Sequence, residues 1–449
     1  MVNRHYLQFE DGTPFFWLGD TGWEMLHKLS REEIQEYLLN RKLKGFNVIQ
    51  TVLISEFIHM DKITNFYNDS IFINDDPEKP NITKGIDPLI EKEYDYWDHV
   101  DFAVETARVN GLYLGLLPSW GEWVTPRTDK PLFNNVEQAY NYGWFLGNRY
   151  KDAPNIIWIL GGDREPNERN IGIKLWQAMA EGITDGVSGI KTLDGKADYS
   201  LTFMTFHAYN SSSNWFHTDE WIDFHTWGSY HAEINNPRSF ELAQKDWNLP
   251  NPKPTINSEP CYEAASINYA ITDNGYFTST DVRIAAYWSV FSGCAGFTYG
   301  CNSIWKFSNE NKGWKQELDL PGAVQVSLLK ELILSRPVNE LRPDQTLILS
   351  EKNSCFSYTP VLKGKSHAFI YTPTGNSITV KLGTITGSQI NACWFDPRTG
   401  NRIPIGTFEN KGEKSFDVPV FSKEFTWLKT GRGCDWVLVL DDASAAYKQ

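Results

Sequence analysis

From Asn155 to Pro166 the chain reads Asn-Ile-Ile-Trp-Ile-Leu-Gly-Gly-Asp-Arg-Glu-Pro. Positions 156–160 are an unbroken apolar run, rich in β-branched and aromatic residues, between a polar breaker (Lys151, Asp152, Pro154) and Gly161-Gly162. Such a run predicts a short strand buried on both faces, as in a parallel sheet. Asp163 then stands at its C-terminal tip, with Arg164 and Glu165 behind it. A buried strand needs no carboxylate there. In barrel enzymes that tip is where chemistry is done. The pattern returns at 254–260 as Pro-Thr-Ile-Asn-Ser-Glu-Pro, a shorter strand ending in Glu259.

Working outward, strands and helices alternate from 15 to about 336. Strands are predicted at 15–20, 47–53, 112–117, 156–160, 201–206, 221–226, 254–259 and 296–299. Helices are predicted at 31–44, 94–110, 135–150, 170–182, 238–246, 281–291 and 324–335. Ser30 with Glu33 forms a capping box at the start of the first helix, and Gly45 stops it. The polar segment 55–88 is too long for an ordinary connection and reads as part of a binding face. Eight strands alternating with helices make an α/β fold, a (β/α)8 TIM barrel, over residues 1–340. After Pro337 the texture changes to short alternating runs split by Gly, Asn and Pro, at 366–371, 377–382, 390–395 and 436–440. That is a small all-β sandwich over 341–449. Pro337 and Pro343 stiffen a short linker, so this module is expected to pack on the barrel, with Trp394 and Trp436 in its core or interface.

Composition narrows the partners. A net charge of −14 with no long basic run argues against nucleic acid or an anionic membrane. No stretch of 18 apolar residues exists, so no membrane-spanning segment is expected. No signal peptide is visible, being absent or already removed. The 6 cysteines are scattered, without zinc spacing, and read as free or structural. Neither a cofactor nor a metal is called for. With 18 Trp and 20 Tyr, the chain has rings enough both for core packing and for stacking on sugars.

The strand tips carry an unusual set: Asp20 and Trp23, Gln50, Trp120, Asp163, His207, then Trp227, Tyr230 and His231, then Asn257, Glu259 and Tyr262, and last Tyr299, Asn302 and Trp305. In a closed barrel these tips converge on one mouth. Two acids on two tips are the minimum apparatus for glycosidic cleavage, one to protonate the leaving oxygen and one to meet the developing positive charge. The other residues in the set are candidates for binding substrate. Glu165 competes with Asp163 as proton donor, but an ion pair or a helix-start charge accounts for it better.

A fourth-strand acid with a seventh-strand Glu resembles the large retaining barrel clan, where the first is acid/base and the second nucleophile. Here Gly162-Asp163 stands where that clan has Asn-Glu. The shorter Asp requires a shallower sugar approach or a shifted backbone, and the missing Asn removes its usual contact to a 2-hydroxyl. The strings at 11–23 (Asp-Gly-Thr-Pro-Phe-Phe-Trp-Leu-Gly-Asp-Thr-Gly-Trp), 44–50, 161–163, 257–263, 281–293 and 296–305 resemble the apiosidase-like glycoside hydrolases, family 140 and its relatives. The resemblance spans 7 to about 340, and the tail resembles the β-sandwich appended in that family.

It implies a retaining barrel hydrolase of plant-wall polysaccharide, with Asp163 as acid/base, Glu259 as nucleophile, and activity on apiose-linked side chains of pectic rhamnogalacturonan II. It also implies export to the periplasm or outside the cell. The proton donor must then keep its proton near neutral pH beside an ionised Glu259. Three other readings stay open. A cellulase- or mannanase-type barrel would act on β-glucans or mannans. A sugar-binding protein on an inactive barrel would bind without turnover. A metal-dependent enzyme would use His207, His225 and His231, but lacks the usual ligand spacing. The sugar, the linkage, exo or endo action and the oligomeric state are not written in the sequence.

Overall fold

A computed structural model describes residues 4–56, 63–90, 92–125, 131–234, 236–269, 275–309, 312–349, 357–419, 433–445 and 447. The expected barrel strands are present as β1 (Trp17–Thr21), β2 (Val48–Val52), β3 (Tyr113–Leu117), β4 (Ile156–Gly161), β5 (Met204–His207), β6 (His225–Gly228), β7 (Thr255–Glu259) and β8 (Gly296–Tyr299). They form one sheet in the order β5-β4-β3-β2-β1-β8-β7-β6, the sequential order of a (β/α)8 barrel. The helices between them are α1 (Arg31–Leu43), α2 (Tyr96–Val109), α3 (Val136–Tyr150), α4 (Gly172–Ser188), α5 (Arg238–Trp247), α6 (Ser279–Phe291) and α7 (Pro321–Leu334). The Ser30–Glu33 capping box opens α1. Part of the 55–88 segment, residues 57–62, lies outside the described residues; the rest is irregular, with isolated bridges at Thr64–Ser70 and Phe72–Pro80.

By packing, the chain divides into two compact units, Gly19–Gly228 with Gly300–Leu318, and Met1–Leu18 with Ser229–Tyr299 and Asp319–Gln449. In the first, the β2–β6 unit, parallel ladders run from Val48 opposite Tyr113 to Gly161 opposite His207. Between β5 and β6 threonine hydroxyls help hold the strands, Thr205 to the Phe224 carbonyl at 2.6 Å and Thr226 to the Phe206 carbonyl at 2.7 Å. The sixth strand was expected at 221–226 but starts at His225. Trp221 and Phe224 supplied the apolar signal, and their rings pack on Phe216 and Phe203 ahead of the strand. Helix α4 also overruns its expected end. It passes through Gly182 and Gly186 to Ser188, because those glycines lie against the α3 backbone.

In the β7–β15 unit, β7 and β8 pair in parallel with Asn257 opposite Phe297. The all-β segment follows as β9 (Val361–Lys363), β10 (His367–Thr372), β11 (Ile378–Lys381), β12 (Gln389–Phe395), β13 (Arg402–Glu409), β14 (Glu413–Phe416) and β15 (Trp436–Asp442). One antiparallel sheet has the order β9-β10-β15-β12-β13, with the short strand Arg342–Pro343 added at the β9 edge, and β11 pairs with β14. Between them lies an apolar cluster that includes Val361, Ile370, Val380, Ile390 and Leu438, together with Trp394 and Trp436. The module packs on α6 and the end of α7. Tyr287 stacks on Tyr371 at 4.6 Å, Arg283 meets Asp435 at 2.9 Å, and Arg336 meets Asp441 at 2.8 Å. Five of the six cysteines are buried thiols, and Cys355 lies outside the described residues. Among the described residues no helix is long and apolar enough to cross a membrane.

Candidate active site

The β2–β6 unit holds the acid at the end of β4. Gly161, Gly162 and Asp163 have φ of +90°, +140° and +48°, three successive residues in the left-handed half of φ space. A Cβ on Gly161 would sit 2.2 Å from the His207 carbonyl oxygen, and one on Gly162 would sit 2.7 Å from the Trp120 indole. The two glycines are therefore required by close approach as well as by φ. The third position carries a side chain regardless, and backbone strain of this kind concentrates at functional sites. The turn is tied down by hydrogen bonds from the Gly162 N–H to the His207 carbonyl at 2.8 Å and from the Gly121 N–H to the Gly162 carbonyl at 3.2 Å. It presents a part-exposed Asp163 whose Oδ1 lies 3.2 Å from His207 Nε2. His207 is fully buried, edge-on to Trp23 at 5.5 Å and tilted against Trp120 at 5.8 Å. Trp23 and Trp120 meet each other at 5.3 Å. The expected residues Asp163, His207, Trp23 and Trp120 thus form one cluster.

Glu165 faces a different set of groups. Its carboxylate accepts from the Asn210 N–H and the Asn210 side-chain amide, both at 2.8 Å, and from Trp215 Nε1 at 2.5 Å. Three donors fix it as the clamp between the loops after β4 and β5. Sequence reasoning missed Tyr209 and Trp215 in the second of these loops. Tyr209 stands two residues past the strand tip and is 47% exposed, so the signal was an aromatic close behind His207. It also missed Glu24, next to Trp23. Burial pushes this carboxyl up to about 7, against the lowering pull of Lys28 and the Ser55 hydroxyl.

The β7–β15 unit holds the second acid, Glu259, at the end of β7 and nearly buried. Its Oε1 lies 3.5 Å from His231 Nε2. The Tyr262 N–H donates to His231 Nδ1 at 3.2 Å, so in the neutral ring the proton sits on Nε2 and faces Glu259. Tyr262 packs edge-on to His231 at 4.4 Å. The Tyr230 N–H, from a residue at φ +54°, donates to the Glu259 carbonyl at 3.0 Å. Asn257 is structural, its side-chain amide bound to the Ser229 and Ser289 hydroxyls.

Four expected substrate contacts need correction. Asp20 is fully buried, with Oδ2 taking Arg41 Nε at 2.5 Å and the Tyr37 hydroxyl at 2.7 Å, so it anchors α1 to β1 and offers nothing to a sugar. Tyr299 is fully buried and donates to Glu263 at 2.7 Å, while Glu263 also accepts from the Gly322 N–H at the start of α7. Gln50 and Trp227 have no exposed surface and belong to the packed interior of β2 and β6. Trp305 remains part-exposed, with Lys306 Nζ 5.7 Å from its ring.

Comparison with known proteins bears on the family and the fold. Residues 1–340 match the family model of an apiosidase-like catalytic domain. Residues 342–441 match a second model, named for a collagen-binding domain of a collagenase. No curated protein matches the chain. Among solved structures, a glycoside hydrolase is 31% identical over 98% of this chain and 96% of its own, with a TM-score of 0.84. A family 5 glycoside hydrolase from Bacteroides vulgatus is 30% identical over 100% of this chain and 94% of its own, also with a TM-score of 0.84.

Proposed function

The chain belongs to the apiosidase-like family and is a glycoside hydrolase, and from that premise we propose that it cleaves apiose-bearing side chains of pectic rhamnogalacturonan II by a retaining mechanism. The observation that carries the assignment of residues is the turn at Gly161-Gly162-Asp163, which spends backbone strain on presenting one carboxyl beside a buried histidine. In the proposed cycle Asp163 donates its proton to the leaving oxygen as the Glu259 carboxylate attacks the anomeric carbon. Water then displaces Glu259 from the glycosyl-enzyme, with its proton returning to Asp163. His207 orients Asp163, and the His231 N–H steadies the charge on Glu259. Trp23, Trp120, Tyr262, Trp305 and Tyr209 supply ring faces and edges around the sugar. We place the boundary between the catalytic module and the β-module at 340/341, and suggest the latter serves the barrel as a packed support.

The test is a screen of the purified chain on rhamnogalacturonan II fragments, β-glucans, mannans and a panel of aryl glycosides, with proton NMR of the first-formed anomer. Release of apiose-bearing fragments with retained configuration supports the proposal. Turnover of mannans or glucans alone would move the chain to the cellulase or mannanase type, and inversion would exclude Glu259 as nucleophile.

A further inference from the structure

The β7–β15 unit contains a cleft of about 610 Å³ where the end of α5, the segment 339–342 and the turns after β9 and β11 meet. That is the size range of sites for small ligands. Its walls carry Arg342, Lys363 and Lys365 against one acid, Glu340. Lys363 is spoken for, being nearly buried and held by Asp344 at 2.8 Å. Lys365 is 78% exposed and only loosely paired with Glu340 at 3.5 Å, a surface pair worth little. Arg342 is exposed and has no ion pair among the described residues. Two cations are therefore available for a ligand, on a chain whose net charge of −14 repels anions generally. A guanidinium beside an ammonium offers donors and no acceptors, and the guanidinium fork matches a carboxylate with two parallel bonds. Asn339 on the same walls carries an amide that can both donate and accept, as sugar hydroxyls require, while the Thr386 hydroxyl, which donates to Asp442 at 2.7 Å, is left as an acceptor.

We propose that this cleft is a second glycan site that binds a carboxylated sugar, a uronic acid within a polysaccharide, through Arg342 and Lys365. The choice of a sugar acid over other carboxylates rests on the reading of the chain as a polysaccharide hydrolase. The site would hold an acidic polymer without taking part in bond cleavage.

Isothermal titration calorimetry of the whole chain with trigalacturonic acid, and with galactotriose as its uncharged counterpart, tests this. The acid should bind, and binding should weaken as sodium chloride is added. The double variant Arg342→Ala/Lys365→Ala should lose about tenfold or more in affinity, the scale of a charged hydrogen bond. It should leave the hydrolysis of aryl glycosides unchanged. Both side chains are exposed, and Arg342→Gln/Lys365→Gln, which keeps much of their bulk, should lose affinity in the same way. No binding of the acid, equal binding of galactotriose, or unaltered affinity in the variants would overturn the proposal. Calorimetry needs no turnover, so a failed activity screen would count against the substrate assignment and leave this result readable.

Discussion

Asp163 and Glu259 are both carboxyls at strand ends, yet the proposed roles differ, and single substitutions separate them. Glu259→Gln removes the nucleophile and its charge, so turnover should vanish for every leaving group while sugar binding persists. Asp163→Asn removes the proton donor, which for a natural sugar leaving group should cost about 10²–10⁴ in rate. An activated aryl leaving group departs without protonation, so its first step should be nearly spared, with azide rescuing the second. Glu165→Gln puts an amide N–H among three donors, so it should loosen the loop bearing Asn210 and Trp215. A several-fold rise in KM without leaving-group dependence is expected. Should Glu165→Gln show that dependence and Asp163→Asn not, the proton donor is Glu165. The places of both carboxyls at strand ends were legible because carboxylates rarely end buried strands. That Asp20 is not a ligand could not be read, because its partner, Arg41, is brought to it only by the folded α1.

At the scale of elements, the α3–α4 pair shows what a local rule misses. Read alone, Gly182 is a helix stop. In the fold Gly143 and Gly147 of α3 face Gly182 and Gly186 of α4, and the backbones nearly touch. A Cβ on Gly147 would stand 1.9 Å from the Ile183 carbonyl oxygen, and one on Gly182 would stand 2.2 Å from that of Tyr140. No side chain can move aside to make room, since the obstacle is main chain. Gly147→Ala should therefore destabilise by about 1–3 kcal/mol or more despite the higher helix propensity of alanine, which favours it by only about 1 kcal/mol. Urea unfolding measures this, and a neutral or stabilising result would mean the helices are not so close. The strands were legible because each is a short apolar run with a breaker. β6 was misplaced because two rings that pack ahead of the strand mimic it.

At the scale of the whole molecule, the β-module is held by charge inside an apolar contact. Arg283 on α6 is almost fully buried and makes two bonds of 2.9 Å to Asp435, which also accepts from the Tyr371 hydroxyl at 3.1 Å. Asp435→Ala strands the guanidinium, with Gln325 and Thr280 left to it among the described residues, and should cost about 3–5 kcal/mol. A fall in Tm would check it. The response to acid is set by groups spread across the fold. Burial lowers His27, His99 and His367 from 6.5 to about 4, and for His27 it outweighs two carbonyls, Thr64 and Val52, that favour the charged ring. The unfolded chain takes protons at these three sites as pH falls below 6.5 and the native chain does not, so their contribution to stability is lost between 6.5 and about 4. Burial acts oppositely on Glu24, raised to about 7, and Asp98, raised to about 6, which the native chain holds protonated where the unfolded chain does not. His5, stacked on Trp247, is lowered to about 4 in the same way, so between pH 4.5 and 6 four histidines outnumber the two acids. Stability should then fall on acidification through that window. Glu24→Gln removes one opposing group and should steepen the fall. Urea midpoints at pH 6 and pH 5, for the parent and the variant, read both slopes; a flat or inverted dependence in the parent would mean that these histidines take up protons in the native fold.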